Sequence, residues 1–389
     1  MLSVSFIFAT LTIAINTRLL LPNRLEGIGW FTFETFRRVC ANHPEHNFLF
    51  IFDRPFDESF ITSPNIKGVV VAPQARHPIL YRIWFGWSVP RVLKKHNVDL
   101  FISPDGYLSL NTEVPQISVM HDLNFEHYRE DLPAVHGNFY RKYFPRYARR
   151  ATRIATVSEY SKQDIHACYG VDPDKIDVVY NGVGEIFSPA DEHTKSSTQA
   201  EIAGGKPYFV FVGSLHPRKN VHRLLQAFDR FKKDTSSANK LVIVGEKFWW
   251  NGEMKDTYEA MKFQDEVIFT GRQNGPDLAR IVACAQAMVF VPYFEGFGIP
   301  ILEAFKSETP LITSNLTAMP EVAGDGAVLV DPFDIDQISS AMQQVHDDAN
   351  LRERLVANGN RRLSEFSWDK TAELMWKSIE KVLTQIELK

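Results

Sequence analysis

Apolar residues in this chain fall into short unbroken runs, each closed by small or polar residues and followed by a helical pattern. Thr12-Ile-Ala-Ile-Asn16, Phe48-Leu-Phe-Ile-Phe52, Lys67–Ala72, Val98–Ser103, Val114–Met120, Arg153–Val157 and Lys175–Tyr180 read as strands. Runs of this kind mark strands buried on both faces of a parallel sheet. Between them apolar positions recur at helical spacing, as at Phe33, Phe36 and Val39. The pattern restarts with Tyr208-Phe-Val-Phe-Val212 and continues through Lys240–Gly245, Glu266–Gly271 and Ala287–Val291. Strand alternating with helix predicts an α/β, doubly wound architecture, and the restart predicts two such domains. Residues 188–206 are polar and small without apolar period and read as the linker. The expected division is 1–187, linker 188–206, and 207–367, with a terminal helix over 368–389 that Ser367 caps.

The most informative junction is Phe290-Val-Pro-Tyr-Phe-Glu-Gly-Phe-Gly-Ile-Pro-Ile-Leu-Glu-Ala-Phe305. A strand ends at Pro292, a turn with Gly296 and Gly298 follows, and Pro300 suits the first turn of the next helix. Glycines beside a helix N-terminus let a ligand approach the backbone, and the free amides there favour an anion. Glu295 and Glu303 flank the turn. Carboxylates accept hydrogen bonds from sugar hydroxyls. The junction therefore fits a ligand that is both phosphorylated and polyhydroxylated, although a plain strand–turn–helix connection fits the same residues.

Other junctions carry different chemistry. Gly213-Ser-Leu-His-Pro-Arg-Lys-Asn220 places Arg218 and Lys219 before a helix. That pair suits a diphosphate, because arginine can bind two oxygens while lysine supplies a compact charge. His121 follows a strand directly, at the carboxyl end where open α/β sheets place functional groups. Asp122 reads as a cap of the following turn, and Ser158 as a helix N-cap. Gly27-x-Gly29 reads as a glycine loop between the first strand and a helix; it lacks the third glycine of a dinucleotide fingerprint, which disfavours a Rossmann oxidoreductase. Gly271-Arg272 closes another strand. Asp334-Ile-Asp336 matches a metal-binding D-x-D superficially, but it precedes an amphipathic run and reads as a helix cap, so no metal is expected. The absence of G-x-x-x-x-G-K-[ST] excludes a P-loop motor. Arg76–Trp87 is aromatic and basic, and Phe139–Arg153 has six basic residues and no acid. The first reads as core packing with a solvated charged edge, or as a face towards a membrane or a bulky acceptor; the second reads as a solvated face, or as a docking surface for anionic lipid headgroups or a lipid-diphosphate acceptor.

Composition narrows the field. A chain of 389 residues is long for one core, which supports two domains. Hydrophobic residues at 44% and charged residues at 23% exclude global disorder. A net charge of −4 argues against a nucleic-acid partner. Cys40, Cys168 and Cys284 lie far apart, which excludes a disulfide framework or a cysteine zinc site. Met1 to Thr17 is apolar but has no basic n-region and is short for a membrane span. It reads as an apolar extension leading into the first strand, and the expected location is the cytoplasm.

Glu295 and Glu303, with Gly296-Phe297-Gly298-Ile299-Pro300 between them, resemble the E-x7-E signature of retaining family-four glycosyltransferases, which carry the glycosyl transferases group 1 domain. Pro310–Asn315 and Met319–Asp325 extend the likeness. The resemblance implies the GT-B fold, two Rossmann-like domains facing a central cleft. It also implies that the terminal helix crosses back to pack on the acceptor-side N-terminal domain. It assigns Arg218 and Lys219 to the donor diphosphate and Glu303 to the ribose. Glu295, with the backbone of Gly296, Phe297, Gly298 and Ile299, goes to the transferred sugar. Gly271 and Arg272 form the base loop, His121 contacts the donor sugar, and Gly27 and Gly29 approach the diphosphate. The chain departs from its relatives at Ser214, where many have arginine, and at Glu308, where glycine is frequent.

The reaction so implied moves a hexose, mannose being favoured, from a nucleoside-diphosphate sugar to a hydroxyl of a glycan or lipid-linked acceptor. No metal and no cofactor besides the sugar nucleotide are expected. No well-placed nucleophile supports double displacement, and the resemblance implies a front-face route in which the departing phosphate takes the acceptor proton. Peripheral contact with the inner face of a membrane belongs to the same expectation. A sugar-nucleotide epimerase or hydrolase of this fold, and a catalytically silent nucleotide-sugar-binding partner, remain as alternatives.

Overall fold

The computed structural model describes residues 10–22, 24–246, 250 and 252–387, and side chains to residue 385. The apolar extension lies, through residue 9, outside the described residues. The chain divides into two compact units, one of Met1–Asn181 with Trp368–Lys389, the other of Gly182–Ser367.

The first unit contains the strands β1 (Thr12–Asn16), β2 (Asn47–Phe52), β3 (Ile66–Val70), β4 (Leu100–Ser103), β5 (Gln116–Met120), β6 (Arg153–Thr156) and β7 (Ile176–Val178). They form one seven-stranded sheet in the order β3-β2-β1-β4-β5-β6-β7, with every neighbouring pair parallel. The second unit contains β8 (Tyr208–Val212), β9 (Lys240–Val244), β10 (Val267–Gly271), β11 (Ala287–Phe290), β12 (Leu311–Ser314) and β13 (Ala327–Val330). Their six-stranded sheet runs β10-β9-β8-β11-β12-β13, again parallel throughout. Helices cover both faces of such sheets, so the central strands β4, β5, β8 and β11 are buried at every position. In each sheet the strand order reverses beside the first strand, between β1 and β4 and between β8 and β11. Loops diverging at such a switch point open a crevice at the carboxyl ends, the place where ligands bind in this architecture.

The helix Trp368–Glu387 belongs to the first unit. It buries Ala372, Met375, Ile379 and Val382. Ser378 Oγ and Lys381 Nζ donate to the two Asp177 carboxylate oxygens at 2.7 and 2.6 Å. Thr371 Oγ1 donates to the Tyr180 carbonyl at 2.7 Å. Asp369 pairs with Arg38 on the helix Gly27–Asn42.

Two expectations are corrected. The segment 188–206 is not a bare linker, because Glu192–Ala203 is a helix of the second unit. Asp191 caps it by accepting from Thr194 N at 2.7 Å, and Gly204 ends it at φ +61°. Only Thr198 and Ala203 are buried there, so no apolar period announces the helix, and the units part instead between Asn181 and Gly182. Gly27 and Gly29 lie in the first turn of the helix Gly27–Asn42 rather than in a loop. A Cβ on Gly29 would stand 3.0 Å from the Leu19 carbonyl oxygen, so close helix-to-loop packing requires that glycine. Arg76–Trp87 combines core packing with a solvated edge, in line with that reading of the stretch. Trp84 is fully buried and donates to the Val71 carbonyl at 2.7 Å, while Trp87 is 62% exposed.

Candidate functional site

The carboxyl ends of β8 and β11 bring together the charged residues of the second unit. After β8 the chain makes a tight turn over Pro217–Lys219 and enters the helix Val221–Thr235 through Asn220, which sits at φ +62°. The buried Asn220 amide donates to the carbonyls of Val291 (3.0 Å) and Pro332 (2.6 Å) and staples the turn to the end of β11. Tyr293 N donates to the Arg218 carbonyl at 3.0 Å. Arg218 and Lys219 are thereby held over the β11 loop. Both bind the same Oε1 of Glu295, and Arg218 also donates to the Phe294 carbonyl at 3.2 Å. Lys219 Nζ lies 4.9 Å from the Phe290 ring centroid. Burial alone would raise the Glu295 carboxyl, but the two cations hold it below the ordinary carboxylate range. Two cations on one carboxylate leave net positive charge where an anion would arrive.

Gly298 adopts φ +87° at the N-cap of the helix Ile299–Lys306, with Pro300 in its first turn. Glu303 lies on that helix. Its Oε2 is sealed from solvent and has no hydrogen-bond partner. Burial pushes the Glu303 carboxyl up to about 7, with Lys219 opposing. A sealed, unpartnered acceptor is costly, and it points to a missing donor such as a ligand hydroxyl.

The other predicted residues divide as follows. Phe297 is buried and packs edge-on against Phe366 at 5.7 Å, so its side chain serves packing. Gly271 ends β10 at φ +71° with open space where a Cβ would be, and Arg272 beside it is exposed. Glu308 takes φ +53°, the left-handed conformation that explains glycine as the natural choice there. Asp334 caps the helix Ile335–Asp347 through Asp336 N and Gln337 N. His121 follows β5 in the first unit, where its Nε2 lies 2.8 Å from the Pro104 carbonyl and its ring stands edge-on to Phe31 at 5.1 Å. Burial lowers its pKa below the usual histidine value, so the ring is neutral at pH 7. A carbonyl only accepts, so Nε2 carries the proton and Nδ1 bears the lone pair.

Sequence reasoning missed a buried network at the first switch point. Asn16, ending β1, donates to Ser103 Oγ (3.0 Å) and Asp105 Oδ1 (2.8 Å), while Arg18 Nε meets Asp105 Oδ2 at 2.5 Å. The guanidinium stands 4.8 Å from the Tyr107 ring and 5.1 Å from that of Tyr81. The available signal was polar residues closing two apolar strands beside the sheet's reversal, Asn16 after β1 and Ser103 to Asp105 after β4. A further cluster, His127, Asp164 and Cys168, converges on the surface of this unit. The His127–Asp164 hydrogen bond of 2.7 Å accounts for it.

Two switch points, each closing a parallel Rossmann-like sheet, define the GT-B class of glycosyltransferases. Residues 38–184 match the model described as Glycosyltransferase Family 4 and residues 192–362 that of Glycosyl transferases group 1. The chain belongs to this glycosyltransferase family and is an enzyme of that kind. It is 27% identical over 356 residues to an O-antigen chain mannosyltransferase B of Escherichia coli, covering 89% of this chain and 93% of that one. Among solved structures it resembles sucrose-phosphate synthase from Thermosynechococcus elongatus, with TM-score 0.78, 16% identity, and 96% and 100% of the two chains covered. It also resembles Anabaena HepE in complex with UDP-glucose, with TM-score 0.74, 14% identity, and 95% and 99% covered. Among the described residues no helix is long and apolar enough to cross a membrane.

Proposed function

We propose that this enzyme transfers a mannosyl residue from a nucleoside-diphosphate sugar to a hydroxyl of a glycan or lipid-linked acceptor, with retention and without a metal ion. The observation that carries the reading is the Arg218–Glu295–Lys219 cluster together with the sealed, unpartnered Oε2 of Glu303 on the helix that Gly298 opens. The Glu295 oxygen occupies both cations, the position a phosphate oxygen takes when the diphosphate binds. Charge growing on the leaving diphosphate is then met by Arg218, Lys219 and the helix amides after Gly298, which supply the neutralisation a metal would otherwise give. Glu303 accepts from ribose hydroxyls, and Glu295, released from part of its ion pairing, accepts from the sugar. His121 Nδ1 presents an acceptor to a sugar hydroxyl. The C1–O bond to the diphosphate breaks as the acceptor oxygen bonds C1 from the same face, and the acceptor proton passes to the departing phosphate oxygen. Mannose as the sugar is supported by the name of the Escherichia coli relative.

The test is an acceptor-dependent assay with a panel of nucleoside-diphosphate hexoses and a short mannan acceptor, in chelator. Nucleoside diphosphate and an α-linked product by NMR are expected, with at least a hundredfold loss in Lys219→Ala. Donor consumption without an elongated acceptor would replace the reading with a hydrolase or epimerase. An inverted product, or turnover that ceases in chelator and returns with a divalent cation, would overturn the retaining or the metal-independent part.

A further inference from the structure

Asn16, Arg18, Ser103 and Asp105 lie buried together at the carboxyl ends of β1 and β4. A buried ion pair such as Arg18–Asp105 seldom stabilises a fold beyond what apolar side chains of similar volume would give. A satisfied polar network does, however, hold its surroundings in one geometry. What this network holds is the turn that leaves β4. Asp105 Oδ1 accepts from Asn16 Nδ2 at 2.8 Å, Ser103 Oγ at 2.9 Å and Tyr107 N at 3.4 Å. Asp105 Oδ2 takes Arg18, whose Nη1 donates to the Ala75 carbonyl at 3.1 Å and whose backbone N donates to Asn16 Oδ1 at 3.2 Å. The other side of the turn is tied to β5, where Ser118 Oγ donates to the Gly106 carbonyl at 2.9 Å. Gly106 sits at φ +86°, and a Cβ there would meet Phe144 Cε1 at 2.8 Å, so the turn has no room to shift.

Pro104 lies inside this turn. It has no N–H and offers only its carbonyl, which His121 Nε2 meets at 2.8 Å. Among the described residues that carbonyl is the one polar restraint on the His121 ring; Ser161 Oγ holds the backbone instead, donating to the His121 carbonyl at 3.2 Å. Which imidazole nitrogen keeps its lone pair is set by the hydrogen bond the other makes. The network also bears on the charge of the ring. Burial lowers the His121 pKa most, and the Pro104 carbonyl, Asp122 and Asp105 oppose it. Arg18, paired with Asp105, offsets the last of these and helps keep the ring neutral.

We propose that Asn16, Arg18, Ser103 and Asp105 are positioning residues for His121: through the Pro104 carbonyl they hold its ring in one orientation and leave the Nδ1 lone pair to a ligand hydroxyl. The inference rests on the reading that gives His121 to the donor sugar and adds to it the residues that aim the ring.

The experiment compares two double substitutions in the full chain. Arg18→Met with Asp105→Asn removes the ion pair but keeps an Oδ1 acceptor at the centre of the turn. Arg18→Met with Asp105→Leu removes both. The ring is read by the His121 Nε2–H proton signal in protein carrying isotope-labelled histidine, assigned by its disappearance in His121→Gln. A ring N–H is protected from exchange with water only while its hydrogen bond holds. The signal is expected in the unsubstituted protein and in the Asp105→Asn pair, and is expected to vanish in the Asp105→Leu pair at a similar melting temperature. With donor and acceptor present, kcat of the Asp105→Leu pair should fall about tenfold or more at a nearly unchanged donor KM, because a displacement of about 1 Å can cost roughly a hundredfold. The Asp105→Asn pair should recover most of that loss. A protected Nε2–H in a folded Asp105→Leu pair overturns the proposal. Should that pair not fold, Asn16→Ala keeps the ion pair and removes one support of the turn; faster Nε2–H exchange supports the proposal, and unchanged exchange overturns it. Loss of the signal with kcat unchanged would bear out the hold on the ring and overturn instead the part of His121 in transfer, so the two readings fail separately.

Discussion

The Glu303 carboxyl is where the ligand-free protein bears a cost. Its ordinary value is 4.5 and burial brings it to about 7 in the folded state. Below pH 4.5 the group is protonated in both states and costs nothing. Between 4.5 and 7 the unfolded chain ionises while the folded protein stays protonated, so native stability falls as pH rises. Above 7 both states are ionised and the loss is constant, roughly 3 kcal/mol at about 1.4 kcal/mol per unit. Glu303→Gln removes that titration. Without nucleotide its melting temperature should exceed that of the unsubstituted protein at pH 8, by roughly 5 °C or more, and converge with it below pH 4.5. Melting points that run parallel from pH 4 to 8 would contradict this. The same substitution should weaken nucleotide binding, because the stability lost at Glu303 is what a ribose hydroxyl recovers on binding. Lys219 and Glu303 are thus coupled through space. Neither could be paired from the sequence, although each was recognisable singly by its place after a strand or on a helix.

At the scale of elements, the turn between β11 and the helix Ile299–Lys306 depends on one backbone conformation. Gly298 sits at φ +87°, and a Cβ there would meet Met319 Cε at 2.8 Å and Ile301 Cδ1 at 3.3 Å. Gly298→Ala should cost about 1–2 kcal/mol for the left-handed backbone, and more for the contact with Met319. It should also turn the helix amides away from the diphosphate. Adding Met319→Ala relieves the contact but not the backbone, so stability should return only in part and nucleotide affinity should stay low. Full affinity in Gly298→Ala, measured by calorimetry, would show that these amides do not bind the donor. This turn was legible because glycine, proline and carboxylates sit at fixed distances around an apolar run. So were most of the buried strands, and so was the cap at Ser158, whose Oγ accepts from Ser161 N at 3.0 Å. The helix Glu192–Ala203 was not, because its stability comes from end caps and it buries little. The edge strand β13 was not either, since the run Ala327-Val-Leu-Val330 is short and mostly not buried. The Arg218–Glu295 contact spans 77 residues of sequence and exists only because β8 and β11 are neighbours.

At the scale of the whole molecule, the chain folds as two units that each own a sheet and a core. Arg218, Lys219, Gly271, Arg272, Glu295 and Glu303 all lie within Gly182–Ser367, whereas His121 and the terminal helix belong to the other unit. A fragment of residues 182–367 keeps all six strands of its sheet and loses no helix, since Trp368–Glu387 packs elsewhere. It should therefore melt cooperatively on its own. If the donor is held by the cluster around Glu295, the fragment should bind the nucleoside diphosphate within about tenfold of the full chain's affinity, because that is the binding energy resident in one unit. It should catalyse no transfer, since His121 is absent. The reciprocal fragment, residues 1–181, lacks the helix that buries Met375 and Ile379 against it, so it should aggregate unless 368–389 is supplied. Thermal shift of the 182–367 fragment with nucleoside diphosphates decides the matter. A cooperative transition that no nucleotide moves at millimolar concentration would mean that the donor does not depend on the charges gathered at β8 and β11. The unpartnered oxygen of Glu303 would then need another explanation.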